Sequence, residues 1–385
     1  MENDNILVDG GDWQATFTPQ SETAVQFEFG EAKLQIMPLL IGKVSEAYGL
    51  IKKLQHHQTV DGLRQSVNLS TVIPFGAEPN LKRDISFFAN HAAVSSYIEL
   101  KGHLKIDRLN IDPLFLPGSW KRIGIINIPV AGEAMSAPQW HELDGAEQVI
   151  YDSETPFLVC LVENQAGEII EIGTGNDLWR WQSAAGVEAA TAQFTVSSGP
   201  TGVAIERNVF IFAEETEMAN RPWRFKWYFA WGKTADTFAY PEKSRPFAVN
   251  AKFSTDADKP SVFAFNSINI PDVSAVIDAA GNTVPAFCLE SNMIMKQLRK
   301  FIRSATEHCQ DQTLVLVGLE PHICASASHL ERRKKEALMH WDIMSLFEFY
   351  DWANRQLAKR ERQLQIMPPE GSNITVLPSI SGMMN

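Results

Sequence analysis

The chain has 385 residues, of which 45% are hydrophobic and 21% charged, and its net charge is −12. This composition is that of a globular protein and excludes a disordered or collagen-like chain. The acidic balance argues against a nucleic-acid binder, because phosphate neutralisation needs concentrated positive charge. The longest apolar runs are shorter than the roughly 20 residues that span a bilayer. Neither nucleic acid nor membrane is therefore expected as a partner.

The N-terminus, MENDNILVDGGDW, is acidic and polar. A secretory signal has a basic start followed by roughly 7–15 apolar residues, and neither feature is present. Four cysteines in 385 residues are too few for a disulfide scaffold. We therefore predict a cytoplasmic protein.

Strand patterns dominate residues 1–289, where short apolar or alternating runs are separated by turn residues. The exception is the segment around 42–56, whose spacing predicts a helix. A long series of strands without intervening helices indicates a large antiparallel sandwich or barrel. The predicted fold class is mainly β, with a large antiparallel β-supersandwich followed by a C-terminal helical extension.

The clearest predicted strand covers residues 223–231. Because side chains alternate across a strand, one face carries only aromatic rings and is expected to lie in a core between two sheets. These rings belong to Trp223, Phe225, Trp227, Phe229 and Trp231. The opposite face, with Arg224, Lys226 and Tyr228, is a candidate lining for a concave polar groove.

The pattern changes near residue 290. Residues 291–308 have helical spacing, 313–319 form a buried strand, and a capping-box signature at Ser328 predicts one long helix over 329–363. We therefore divide the chain into a β-sandwich at 1–289, a helical extension packed on it at 290–365, and an extended tail at 366–385.

The common nucleotide-binding, hydrolase and zinc-protease motifs are absent from the sequence. The first candidate site is GTGNDLWRW, residues 173–181, a glycine-rich turn after a strand. Tryptophan faces stack on sugar C–H groups, while an acid and an arginine bind hydroxyls or a carboxylate. The predicted ligand contacts are Asp177, Trp179, Arg180 and Trp181, with Arg224 behind them. The alternative is an edge strand whose tryptophans pack inward.

The second candidate is Asn90-His91, just beyond an aromatic strand. Histidine is a natural general acid near neutral pH, so His91 is the candidate catalytic residue and Asn90 a substrate contact. A hydrogen-bonded structural histidine is the alternative.

A third group resembles a soft-metal ligand set: His308, Cys309, His322, Cys324 and His329. Its spacing matches no standard zinc finger. Buried cysteines beside ordinary histidines are therefore the preferred interpretation, and the sequence predicts neither a metal nor a cofactor.

The aromatic strand, Asn90-His91 and the later segment IELKGHLKIDRLNIDPLFLPG (98–118) together resemble the aldose 1-epimerases, or galactose mutarotases. The resemblance covers residues 10–270 and implies a β-supersandwich whose concave face binds a sugar. It also implies a histidine acid, a glutamate base and a sugar-binding arginine. The chain departs from the family after Asn-His, where it has Ala-Ala-Val-Ser. The sequence does not decide which glutamate would be the base; the candidates are Glu163, Glu168, Glu171 and Glu206.

The sequence thus predicts a carbohydrate-binding or carbohydrate-active protein, of epimerase, lyase or glycosidase type, whose partner is a small-molecule or oligosaccharide ligand. The alternative is a structural or interaction protein. The predicted long helix is apolar around much of its surface, so it must be buried in its domain or covered by another subunit in a homo-oligomer.

Overall fold

The structure of the protein is a computed structural model. It describes residues 5–18, 25–37, 40–42, 47–48, 50–58, 65–72, 80–88, 90–99, 105–174, 190–217, 222–233, 239–253, 260–265, 274–309, 313–326, 328–330 and 340–384. The chain forms two compact units, one of residues 1–128 and 138–233 and one of residues 129–137 and 234–385. Antiparallel strands predominate, so the predicted mainly β fold is confirmed.

The first unit consists of strands. They are β1 Ile6–Asp9, β2 Trp13–Phe17, β3 Val25–Phe29, β4 Ala32–Ile36, β5 Leu40–Gly42, β6 Ala47–Tyr48, β7 Leu50–Gln58, β8 Gln65–Val72, β9 Asn80–Phe87, β10 His91–Glu99, β11 Lys105–Asn110, β12 Leu114–Pro117, β13 Trp120–Asn127, β14 Gln139–Glu142, β15 Gln148–Ser153, β16 Phe157–Asn164, β17 Glu168–Thr174, β18 Thr191–Gly199, β19 Gly202–Glu217 and β20 Pro222–Lys233.

The described strands of this unit form an eleven-stranded and a nine-stranded sheet, both antiparallel. The eleven-stranded sheet runs β1-β2-β3-β4-β12-β19-β11-β5-β6, with β18 also paired to β19 and β15 to β18. The nine-stranded sheet runs β14-β13-β16-β17-β20-β10-β9-β8-β7. Apolar side chains from both sheets meet in one core, as in a sandwich.

Strand β20 shows how the sequence builds that core. The aromatic face predicted from its alternation is confirmed, because all five rings are buried. Trp231 lies 4.4 Å from Phe27 between ring centroids, and Phe229 lies 5.4 Å from the same ring, so β20 packs against β3 of the other sheet. Alternation at period two therefore leaves the other face of β20 outside the core.

The helix predicted at 42–56 is wrong. The described residues of this segment lie in β5, β6 and β7, and β7 pairs with β8 from Leu50↔Val72 to Gln58↔Gln65. Helical propensity is a weak preference that tertiary pairing overrides. Pairing with β8, the next strand along the chain, therefore decides the conformation of β7.

The second unit combines helices and strands. Its elements are β21 Arg245–Pro246, β22 Ser261–Ala264, β23 Ala275–Ile277, β24 Thr283–Phe287, α1 Asn292–His308, β25 Thr313–Val317, β26 Ile323–Cys324, a 3₁₀ turn at Ser328–Leu330, β27 His340–Trp341, α2 Ile343–Ala358, β28 Gln363–Met367, a 3₁₀ turn at Asn373–Val376 and α3 Pro378–Met384.

A parallel sheet of order β21-β22-β25-β28 organises the second unit, with α1 preceding β25 and α2 preceding β28. The predicted helix at 291–308 and strand at 313–319 are present as α1 and β25. The unit boundary falls after Lys233 rather than at 289, because β21 and β22 pair with this sheet. The helical extension thus includes a sheet of its own.

The long helix predicted over 329–363 is wrong in extent. Residues 340–341 form a strand and the helix covers Ile343–Ala358, while 331–339 lie outside the described residues. Its apolar residues are buried against α1 and β28, so its unit covers the surface that motivated the predicted oligomer. The predicted extended tail is also partly wrong, since the buried residues Ile380 and Met383 hold α3 in place.

Candidate functional site

The nine-stranded sheet carries a row of polar and small residues on the face away from the core. Ala230 of β20 pairs with Glu171 of β17 on one side and with His91 of β10 on the other. Paired residues share a face and lie about 5 Å apart at Cα, so Glu171 and His91 are about 10 Å apart. All three are buried. A carboxylate and an imidazole therefore flank the single methyl group of Ala230.

Tyr228 lies in the next row and reaches Glu171. Its hydroxyl donates a hydrogen bond to Glu171 Oε1 at 2.8 Å. Burial, reinforced by the Glu171 carboxylate, raises the pKa of Tyr228 well above its usual value, so the phenol keeps its proton. The protonated Tyr228 hydroxyl is therefore a hydrogen-bond donor held in place by the buried Glu171 carboxylate.

Gly173 makes this geometry possible. It pairs with Tyr228 across the strands, and a Cβ at this position would lie 1.8 Å from the Tyr228 ring. The ring thus occupies the space that any other side chain at 173 would need. The first glycine of the predicted ligand loop is therefore a strand residue that accommodates Tyr228.

His91 is held by its neighbours in sequence. Its ring stacks on Phe88 at 4.5 Å, and Nδ1 lies 3.1 Å from Asn90 Oδ1. Burial lowers the pKa of His91 to about 3, because a charged imidazole would lose its hydration. At neutral pH the ring is uncharged and can donate one N–H and accept one hydrogen bond.

The same face becomes more accessible one row further on. Lys226 pairs with Ser95, and Ser95 pairs with Asp84. Lys226 and Ser95 are half-buried and Asp84 is exposed. Arg224 follows on β20 opposite Tyr97, and its side chain lies outside the described residues. We call Glu171, Tyr228, His91, Lys226 and Ser95 the polar face.

The four glutamates that the sequence offered as candidate bases lie in different surroundings in the structure. Glu163 is paired with Lys121 at 3.0 Å and Arg122 at 2.6 Å. Glu168 accepts hydrogen bonds from Asn164 Nδ2 and the Glu31 backbone. Glu206 is exposed on β19, in the other sheet. Glu171 is thus the glutamate that shares a row with His91, and only the strand register reveals this.

A buried ion pair lies inside the sandwich behind β20. The Arg207 guanidinium lies 3.7 Å from the Asp112 carboxylate and 3.7 Å from the ring centre of Trp227. Arg207 also donates to the backbone oxygens of Lys226 at 2.9 Å and Ile111 at 3.4 Å. This network ties β19 to β20, and so supports the strand that carries the polar face.

Several predicted contacts fall outside the described residues. Asp177, Trp179, Arg180 and Trp181 belong to the segment 175–189, which is not described. The segment begins directly after Thr174, the last residue of β17 and the third residue after Glu171. Their assignment as ligand contacts stays a prediction.

The predicted cysteine–histidine group is only partly brought together. His308 is exposed beside Ser304, Cys309 is buried elsewhere, and His322 lies near Glu320. Cys324 and His329 instead meet two residues that the sequence did not single out, Cys288 and His340. No spacing motif could have found them, since Cys288 follows β24 and His340 becomes a neighbour of Cys324 only through the β26–β27 pairing.

These four side chains form a compact buried cluster in the second unit. Their potential ligand atoms all lie within 4.8 Å of one another. Cys288 Sγ is 3.2 Å from His340 Nε2, and Cys324 Sγ is 3.5 Å from His329 Nδ1. We call Cys288, Cys324, His329 and His340 the Cys–His cluster.

A separate cleft of about 230 Å³ lies in the first unit between the turns near residues 118–120, 143–145 and 198–203. Asp144 is the charged residue of its lining, and no predicted site residue belongs to it. Within the described residues, no helix combines the length and apolarity that a membrane crossing requires.

No protein-family model and no curated protein matches the chain. Among solved structures, it is similar to a putative aldose 1-epimerase from Escherichia coli K12, with 12% identity over 60% of this chain and 99% of the other and a TM-score of 0.38. It is also similar to a putative mutarotase from Salmonella typhimurium, with 10% identity over 60% of this chain and 92% of the other and a TM-score of 0.36. A GH36 alpha-galactosidase from Geobacillus stearothermophilus matches 97% of this chain and 74% of its own, with 7% identity and a TM-score of 0.40. Structures of the predicted epimerase type are thus among those that the chain resembles.

Proposed function

We propose that the first unit binds a carbohydrate on the polar face. The observation that carries the proposal is the buried hydrogen bond from Tyr228 to Glu171, which lies outside the sandwich core and in line with His91. Sugar hydroxyls donate hydrogen bonds, and both Glu171 and His91 Nε2 are acceptors, since the N–H of the neutral His91 ring is directed to Asn90 Oδ1. The small side chain of Ala230 separates the two.

The gradient of burial along the face defines the direction of approach. Glu171 and His91 lie at its closed end, whereas Lys226 and Ser95 are half-buried. A sugar would therefore approach the face over Lys226 and Ser95, with one hydroxyl directed toward the closed end that holds Tyr228 and Glu171. The amine of Lys226, two rows from Glu171 on the same face, suits a ligand that has an acidic group as well as hydroxyls.

The predicted ligand loop, residues 173–181, would contribute further contacts to the sugar. Asp177, Trp179, Arg180 and Trp181 follow β17 within a few residues of Glu171 in the chain. Tryptophan rings and an arginine fork there would add the stacking and planar contacts that sugar ligands use.

The pKa of His91 favours binding over catalysis. Epimerase chemistry at a sugar ring needs a proton donor, and a general acid works best when its pKa lies near the working pH. The buried His91, with its pKa lowered to about 3, is deprotonated at pH 7. We therefore propose that His91 contributes a hydrogen bond rather than a proton.

The test is a thermal-shift screen of the full chain with neutral sugars, uronic acids, amino sugars and oligosaccharides. A ligand at 100 times its Kd stabilises the fold by about 2.7 kcal/mol. We expect one sugar class to raise the Tm, and Lys226→Ala to remove that shift without changing the Tm of the free protein. Lys233→Ala, an exposed lysine on the same strand, is the matched control and should keep the shift. No shift across the panel would contradict the proposal.

A further inference from the structure

We propose that Cys288, Cys324, His329 and His340 bind one zinc ion in the second unit. Two thiols and two imidazoles are a complete ligand set for tetrahedral zinc. The proposal is independent of carbohydrate binding, because all four residues belong to the second unit and none belongs to the polar face.

Two of the six distances between the ligand atoms are close to those of a tetrahedral site. With Zn–S of about 2.3 Å and Zn–N of about 2.0–2.1 Å, neighbouring ligand atoms should be about 3.3–3.8 Å apart. The two sulfur–nitrogen distances in the cluster are 3.2 Å and 3.5 Å. The other pairs of ligand atoms lie within 4.8 Å of one another, so an ion fits at the centre after shifts of up to about 1 Å.

Backbone N–H groups face both sulfurs, as thiolate ligands require. Cys324 Sγ accepts from Ser326 N at 3.4 Å and from Ile277 N at 3.3 Å. The N–H of Glu290, two residues after Cys288, donates to the Cys288 sulfur in the same way. Hydrogen bonds to an ionised acceptor are stronger than those to a neutral one, so this surrounding favours bound thiolates.

Four chain segments converge at the cluster and are fixed around it. Cys324 and His340 are cross-strand partners in β26 and β27. The carboxylate of Asp342 accepts hydrogen bonds from the backbone of Leu289 and His322, each at 2.6 Å, and so links the segments that carry Cys288 and Cys324. Residues around a metal site commonly orient its ligands in this manner.

The site is structural rather than catalytic. Three of its members are fully buried and His329 is 6% exposed, within a small apolar cluster that includes Val276. Four protein ligands leave no coordination position for water or substrate, which is the pattern of a structural zinc. Its role is to crosslink segments that are otherwise joined by the two-residue β26–β27 pairing and the Asp342 hydrogen bonds.

The test is metal analysis of the purified full-length chain by mass spectrometry after dialysis against zinc-free buffer. We expect about one zinc per chain. Cys324→Ser and His340→Gln should reduce the zinc content to near zero. Cys309→Ala, which replaces a buried cysteine of the same unit outside the cluster, should keep it.

Cobalt exchange into the unmodified protein separates loss of the site from loss of folding. Bound Co²⁺ should give thiolate-to-cobalt charge-transfer absorption and the intense visible bands of tetrahedral coordination. Absence of metal and of these bands from folded wild-type protein would overturn the proposal. So would a peptide map of the folded protein that shows a Cys288–Cys324 disulfide.

Discussion

At the scale of single residues, the polar face depends on Gly173, whose lack of a side chain leaves room for the Tyr228 ring. Because a Cβ at position 173 would lie 1.8 Å from the Tyr228 ring, Gly173→Ala forces that ring to move. We expect a loss of about 1–3 kcal/mol in the free energy of unfolding, typical of overpacking. We also expect loss of sugar binding, because the Tyr228–Glu171 hydrogen bond cannot survive the shift.

The measurement for Gly173→Ala is urea unfolding combined with ligand titration. Gly199→Ala is the control, since a Cβ there would make only an ordinary 3.5 Å contact with Glu147. Equal stability of the two variants would show that the close packing of Tyr228 on Gly173 is not required.

His91 should make stability depend on pH. Its folded-state pKa of about 3 lies below the ordinary 6.5, so between these values the unfolded state binds more protons than the folded state. Stability therefore falls as pH decreases from 6.5, by about 4 kcal/mol at pH 3. His91→Gln, which cannot titrate, should lack this part of the loss.

Urea unfolding of wild type and His91→Gln at several pH values measures the difference. Other groups titrate equally in both proteins and cancel. His308→Gln, which changes an exposed histidine, should follow the wild-type curve. Parallel curves for wild type and His91→Gln would mean that His91 is not held uncharged by burial.

At the scale of elements, Arg207 joins β19 to β20 through the sandwich. Arg207→Met would remove the cation that faces the buried Asp112 carboxylate, and the loss of one member of a buried ion pair costs about 3–5 kcal/mol. Adding Asp112→Asn, which removes the charge and tolerates the left-handed backbone at this residue (φ 47°), should restore part of that loss. A double-mutant cycle by urea unfolding measures the coupling. Strict additivity of the two changes would contradict the ion pair.

Hydrophobic patterns of period two and period 3.6 correctly predicted the strands and helices whose structure is determined by their local sequence. The aromatic face of β20 and the helix α1 are examples, because each has a strong periodic pattern over a full element. The segment 42–56 and the helix predicted over 329–363 failed, since the pairing of β7 with β8 and of β26 with β27 overrides local preference.

The candidate sites could be predicted less fully than the fold, because they too depend on which strands pair. His91 and the face of β20 with Lys226 and Tyr228 could be singled out from local sequence. The sequence left Glu171 as one of four candidate glutamates, because its position in the same row as His91 depends on the register of three strands. Cys288 and His340 were missed because their neighbours are set by contacts distant in sequence.

At the scale of the whole molecule, the two units contain the two candidate sites separately. The polar face lies in the first unit, and the Cys–His cluster lies in the second. Metal binding energy is folding energy for the structure that holds the ligands. Chelation of the proposed zinc should therefore destabilise the second unit and leave the first unit, with the proposed carbohydrate binding, intact.

Scanning calorimetry with and without a chelator tests this separation. We expect one unfolding transition to move to lower temperature while the other keeps its position, and a sugar ligand to raise only the latter. A chelator that lowers both transitions equally would contradict independent roles for the two units.

The most direct measurement of carbohydrate binding on the polar face is calorimetric titration of the best sugar from the screen into wild type and Glu171→Gln. The substitution keeps the size of the side chain but replaces one carboxylate oxygen by an NH2 group, and so removes an acceptor that Tyr228 and the proposed ligand would share. We predict saturable one-to-one binding to wild type and a decrease of at least about tenfold in affinity, near 1.4 kcal/mol, for the folded variant. Unchanged affinity in Glu171→Gln would contradict the assignment of the site.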